Sequence, residues 1–392
     1  MMRYKLHRIL FLLIAVTLIL NPAFFPVYGE EFDVDAKSAI LMDASTGKIL
    51  YEKNIHDKLP PASVTKIMTM LLAMEALETK KISLEDKVII SERASKMGGS
   101  QLYLEPNEEK TVEELMKGIA LASANDGCVA IAEHVSGTEE MFVKRMNERA
   151  KELGMNDTQF MNTNGLPQDG HYTSAYDIAV MSKELLKYPK IHDWLTIWMS
   201  NIKVGLPNKR QTTIELVNTN KLIRTYPGAH GIKTGFTSEA RYCLSASAVK
   251  NNLTLIAVIL GSPTSDIRFA EAKKLLNYGF ASFSAVPIVR KDEVIDELQV
   301  EKGKASTVKA VAKDHLNALV KKGEENSVEK EIILPKQIKA PFAAGEKIGE
   351  IIAKKDGQEI GRMDIITDVE VAPASLIDIF GKILNKVSKP TK

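Results

Sequence analysis

The spacing of apolar residues changes character along the chain, and each change predicts an element. Residues 38–54, "SAILMDASTGKILYEKN", read as two short strands around the turn Ser45-Thr46-Gly47, a hairpin with glycine at its turn. From Ala62 to about Leu77 the sequence is apolar enough for a core helix. "TVEELMKGIALAS", from Thr111, predicts a helix with an acidic first turn, and "DGCVAIAEHVSG" one that closes on Gly137. "SAYDIAVMSKELLKY" opens on Ser174 with Asp177 three residues later, an N-terminal capping arrangement. The period then shortens in "TIELVNTN", "GAHGIKTG" and "YCLSASAVKNNLTLIAVILG", the last holding two strands around Asn251-Asn252. Helices enclosed between a hairpin and a later strand cluster predict an α+β domain, its antiparallel sheet assembled from both ends.

Residues 286–371 have a different texture, with short Val- and Ile-rich runs separated by Gly and charged turns. This predicts a small β-sandwich or barrel, and without a catalytic-looking cluster it reads as a spacer or interaction module. In the last stretch Leu376, Ile377, Ile379, Phe380, Ile383, Leu384 and Val387 share a helical face opposite Asp378, Lys382, Asn385 and Lys386. Such a basic amphipathic helix suits a bilayer interface and is too short to span; docking on the protein itself is the alternative. At the other end Arg3, Lys5 and Arg8 precede an apolar run from Ile9 to Leu20, the layout of a secretory signal cleaved after Gly29, or else of an uncleaved anchor. The expected division is a signal at 1–29, a catalytic domain at 30–284, a β-rich domain at 285–372 and a membrane-anchoring helix at 373–392.

The formal charge of +2 falls to −1 without residues 1–29, so nothing points to nucleic acid. The two cysteines, Cys128 and Cys243, imply no disulfide framework; buried free thiols and a single bridge both stay open. The seven histidines lack paired ligand spacing, so no metal or cofactor is expected, and His171 reads as a local packing or capping residue.

Chemistry enters with "LPPASVTKIMTM", which sets Ser63 and Lys66 three apart at a helix start, where the amine can approach the hydroxyl. A desolvated lysine is one way to activate a serine, although a capping serine beside an exposed lysine gives the same spacing. Ser123-Ala124-Asn125 follows in a break between helices, and Lys233-Thr234-Gly235 ends a β-like run. The order S-x-x-K, S-x-N, K-T-G is the set of serine β-lactamases and penicillin-binding proteins.

With these motifs, and with "GKILYEKN", "MNTNGLPQDGHYTSAYDIAVMSKEL" and "GIKTGFTSEARYCLSASA", the chain resembles the low-molecular-mass penicillin-binding proteins that act as D-alanyl-D-alanine carboxypeptidases. The resemblance covers nearly the whole length and implies a β-lactamase/transpeptidase-like domain followed by a small all-β domain. It implies that Ser63 attacks the terminal D-Ala-D-Ala bond of a peptidoglycan pentapeptide to form an acyl-enzyme, with Lys66 as proton acceptor and Ser123 as relay to the leaving D-alanine. Asn125 would hold the substrate amide, Lys233 and Thr234 would recognise the terminal carboxylate, and Gly235 would leave room along the strand. The N–H groups of Ser63 and Phe236 would form an oxyanion hole, and Arg268 would lie near the carboxylate site, unless it is a solvated helix-start arginine. β-Lactams would be covalent inhibitors, and the enzyme would work at the outer face of the cytoplasmic membrane. One departure is Arg241, where the family pattern leads one to expect a small residue, often glycine.

The rival readings share the fold. A class A β-lactamase needs a deacylating glutamate on a loop after S-x-N, and no glutamate occurs between Glu152 and Glu184, which leaves at most slow β-lactam turnover. An endopeptidase cutting peptide cross-links would use the same residues. A wall-binding protein with a dead site should lack one of Ser63, Lys66, Ser123, Asn125 or Lys233, and all are present.

Overall fold

The six residues of β1 (Ser38–Asp43) are all buried, because this strand lies inside a sheet covered on both faces. β1 pairs with β2 (Ile49–Lys53) through the expected hairpin, whose Gly47 takes φ +77°. The computed structural model describes residues 32–209 and 211–378, so the signal expected at 1–29 and most of the amphipathic helix lie outside the described residues. Next comes α1 (Lys66–Glu78), entered through a 3₁₀ turn at Ala62–Thr65. The helix expected from Ala62 therefore begins four residues later, because Ala62 has φ +49°, which no α-helical path allows. Residues Lys66 to Met74 of α1 are buried on every side, so it is the central helix of the domain.

Around α1 pack α2 (Asn125–Ser136), closed by Gly137 at φ +83°, and α3 (Ala175–Leu185). Ser174 caps α3 by accepting the Asp177 N–H at 3.1 Å. The helix from Thr111 is α only over Val112–Lys117 and then widens to a π-helical turn at Gly118–Ala122, ending on Ser123 in the left-handed region at φ +64°. Such a turn re-aims the chain just where S-x-N begins.

The sheet closes with β3 (Ala229–Thr237), β4 (Arg241–Lys250) and β5 (Leu253–Ser262), in the order β2-β1-β5-β4-β3, antiparallel throughout. Asn251 and Asn252, both at positive φ, make the two-residue β4–β5 turn. β3, carrying K-T-G, is an edge strand. A final helix, α4 (Ser265–Ser282), packs on β5 and β4.

From Phe283 to Thr367 the chain is β apart from a 3₁₀ turn at Glu325–Ser327: a six-stranded sheet, and a two-stranded sheet of Phe283–Val289 with Leu316–Lys321. Their buried residues, among them Leu298, Ala310, Ile351 and Ile365, form a core of their own.

Arg241, at the start of β4, has φ +58°, a conformation that costs a side-chain-bearing residue about 1 kcal/mol. Arg241→Gly is therefore expected to stabilise the protein by roughly 0.5 kcal/mol, after the larger chain entropy that glycine loses on folding. Urea denaturation checks this, and an unchanged or lower midpoint would contradict it.

Candidate active site

Ser63 lies in the 3₁₀ turn, and Lys66 is the first residue of the buried helix, so the side chains meet as the spacing predicts. Lys66 Nζ donates to Ser63 Oγ at 2.9 Å and to the Asn164 carbonyl at 2.7 Å. Lys66 is fully buried, and burial pushes its pKa down to about 8. The amine therefore gives up its proton far more readily than a surface lysine.

β3 brings Lys233 to the same place. Burial, with the positive charge of Lys66 nearby, takes Lys233 well below the usual ammonium range. Its Nζ donates to the Thr234 carbonyl at 3.1 Å. A Cβ on Gly235 would stand 3.0 Å from both Ser63 N and Pro61 O. The glycine thus lets β3 close on the turn that carries Ser63, a reason for glycine beyond the room for substrate that the motif suggests. Phe236 is half exposed and its ring packs on Tyr242, with centroids 4.5 Å apart.

Asn125 starts α2. Its Nδ2 donates to the Gly98 carbonyl at 2.6 Å, while its Oδ1 is buried without a partner, as is Ser123 Oγ. Both atoms of S-x-N are thus buried without a hydrogen bond to the described residues. Next to them Asp126 accepts N–H groups from Leu102, Leu104 and Gly127. Burial raises its pKa despite those bonds. The carboxylate is thus committed to the loop before α2 and is not free to activate water.

Arg268, on α4, is buried, which removes the solvated alternative. Its Nη1 donates to the carbonyls of Gly235 at 2.9 Å and Cys243 at 3.2 Å, and its guanidinium lies over the rings of Tyr242 and Phe269. Cys128 and Cys243 are both free and buried, so no bridge forms. Cys128 lies close enough to feel the charges of Lys66 and Lys233, but burial pushes its thiol up to about 12 and keeps it neutral.

Sequence reasoning missed the loop that holds this turn. Gly165, at φ +86°, passes so close to Ala62 that an added Cβ would meet the Ala62 carbonyl oxygen at 1.8 Å. His171 completes the brace. Its Nδ1 accepts the Met161 N–H at 3.0 Å, so the ring proton is on Nε2 and donates to Thr65 Oγ1 at 2.8 Å. Thr65 passes its own proton to the Ala62 carbonyl at 2.9 Å.

Burial pushes His171 down to about 4. Its folded-state pKa is thus depressed from an unfolded value near 6.5, so its contribution is present above about pH 6.5 and is lost as pH falls toward 4. Across that window the wild type is expected to lose about 3 kcal/mol more than His171→Gln, a difference that urea titrations at each pH measure.

Comparison with known proteins settles the family. A family model described as D-alanyl-D-alanine carboxypeptidase matches residues 26–264, and one described as penicillin-binding protein 5, C-terminal domain, matches 283–373. The chain belongs to the D-alanyl-D-alanine carboxypeptidase family. It is a serine-type carboxypeptidase of the hydrolase class. This carboxypeptidase is 45% identical over 361 residues to the D-alanyl-D-alanine carboxypeptidase DacF of Bacillus subtilis, covering 92% of each chain. It is 34% identical to DacC of Escherichia coli, over 86% of this chain and 84% of that one. Its fold matches the crystal structure of penicillin binding protein 5 from Haemophilus influenzae with a TM-score of 0.68 and 32% identity, covering 87% of this chain and 98% of that one. The carboxypeptidase thus shares the transpeptidase-like domain and the C-terminal all-β region of that structure.

Proposed function

We propose that this carboxypeptidase works through an acyl-enzyme on Ser63, and that its substrate is a peptidoglycan stem peptide ending in D-Ala-D-Ala. The observation that carries the reading is the fully buried Lys66 amine, 2.9 Å from Ser63 Oγ. Lys66, in its neutral form, takes the hydroxyl proton as Ser63 attacks the penultimate D-Ala carbonyl. The oxyanion forms beside the N–H groups of Ser63 and Phe236, an interaction worth about 3 kcal/mol where its donors are pre-set. The proton passes through Ser123 to the nitrogen of the departing D-alanine, and water then releases the shortened peptide. Asn125 Oδ1, which lacks a partner, accepts the substrate amide N–H.

Lys66, Lys233 and Arg268 are buried basic groups without a carboxylate in ion-pair contact among the described residues, which favours an anionic substrate. An arriving carboxylate would hold the proton on Lys233, and that fixed charge would repel the proton from Lys66. The carboxylate thus helps to prepare the base.

Measuring free D-alanine released from a peptide ending in Lys-D-Ala-D-Ala, with and without penicillin, tests the reading. Release blocked by covalent labelling supports it; an intact peptide beside a labelled protein would move the substrate to peptide cross-links.

Catalytic residues within 30–284, a β-rich module at 285–372 and a terminal anchor at 373–392 complete the proposal. The anchor's first residues favour a bilayer interface: Ser375 caps them by accepting the Asp378 N–H, and Leu376 and Ile377 are 86% and 84% exposed. Among the described residues no helix is long and apolar enough to cross a membrane. Flotation with lipid vesicles, with and without residues 373–392, tests the anchor; equal flotation of both chains would refute it.

A further inference from the structure

A loop that precedes α2 in the chain carries a tyrosine in a backbone conformation that tyrosine seldom takes. Tyr103 has φ +61°, in the left-handed region, and is 72% exposed. Its neighbours Leu102 and Leu104 are buried, and Asp126 accepts the N–H of each, at 2.9 and 3.2 Å. The same loop is tied to S-x-N itself. The Ser100 carbonyl accepts the Asn125 N–H at 2.8 Å, and the Gly98 carbonyl accepts from the Asn125 side-chain amide. Asp126, whose carboxylate grips the chain on both sides of Tyr103, lies close enough to Lys66 to favour its charged form. Tyr103 is thus fastened to the wall of the site that S-x-N forms.

The fold gains little from this arrangement. A ring so exposed buries too little surface to repay the strain by packing, and glycine would take the same φ without cost. A residue held in a strained conformation by its surroundings points to use of the side chain it displays. Tyrosine suits a contact surface, since it offers a broad apolar face and loses little side-chain freedom when covered. The other wall, β3, presents the half-exposed ring of Phe236.

We propose that Tyr103 is a specificity-determining residue whose ring packs on the acyl part of the substrate, upstream of the bond that is cut. This rests on the reading above, in which Asn125 holds the substrate amide. Peptide that lies along Asn125 also lies along the loop bonded to it, and the ring on that loop covers its apolar side. The grip of Asp126 sets the ring in place before the substrate arrives, so little ordering is left to be done on binding.

The test compares acylation rates with benzylpenicillin and with the bare penicillin nucleus, which lacks the acyl side chain. Tyr103→Ala is expected to slow acylation by benzylpenicillin about ten-fold more than acylation by the nucleus, the scale of partly covering an aromatic side chain. Tyr103→Phe is expected to keep the wild-type ratio. Tyr103→Gly, which relieves the backbone, is expected to lose the ratio as Tyr103→Ala does while its urea midpoint rises. Equal slowing with both compounds, or no slowing, would overturn the proposal. So would a lowered urea midpoint in Tyr103→Gly, since the ring would then be a packing residue. A wild-type enzyme that neither compound acylates at Ser63 would instead sink the acyl-enzyme reading itself, and this proposal with it.

Discussion

Ser63→Ala is expected to lower kcat/KM for D-alanine release by on the order of 10⁴-fold or more. The same change should abolish covalent labelling by penicillin. The fold should tolerate it, because the Ser63 hydroxyl receives one hydrogen bond from Lys66, which keeps its second acceptor at the Asn164 carbonyl. A stability change of no more than about 1 kcal/mol is expected, so thermal unfolding separates a dead site from an unfolded one. Penicillin labelling that survived the substitution would place the nucleophile elsewhere.

Lys66→Met is expected to lower kcat/KM by about 10²- to 10⁴-fold, the range for a positioned general base. Methionine keeps the apolar length of the side chain in a fully buried position. The pH profile distinguishes a base from a structural lysine. Since Lys66 titrates near 8 and acts in its neutral form, wild-type acylation should rise with pH through a limb centred near that value. The variant's residual rate should lack that limb. A parallel drop at every pH, with the limb intact, would assign the proton transfer to another group.

The parts of this site that were legible in the sequence are those whose geometry is local. A spacing of three brings Ser63 and Lys66 within hydrogen-bond reach, and the adjacent asparagines at 251 and 252 announce the β4–β5 turn. The helix boundary was misplaced because nothing in "PPASV" declares that Ala62 adopts a left-handed backbone; the Gly165 approach and the Thr65 hydroxyl hold it there. His171 and Thr65 are 106 positions apart, so no periodicity could pair them. Arg241 is the instructive middle case. The departure from glycine was visible, but its meaning, a positive φ, belongs to the fold.

The sheet order has a consequence for how the molecule comes into being. β1 finds its inner partner only in β5, with Ser38 opposite Leu260, so the first strand made must wait for nearly the last strand of the domain. Closing so long a loop costs chain entropy before any contact repays it, which makes folding slow. A nascent chain that already displays Ser63 and Lys66 still lacks β3, whose Gly235 seats the nucleophile's turn. The site is therefore complete only once the sheet has closed.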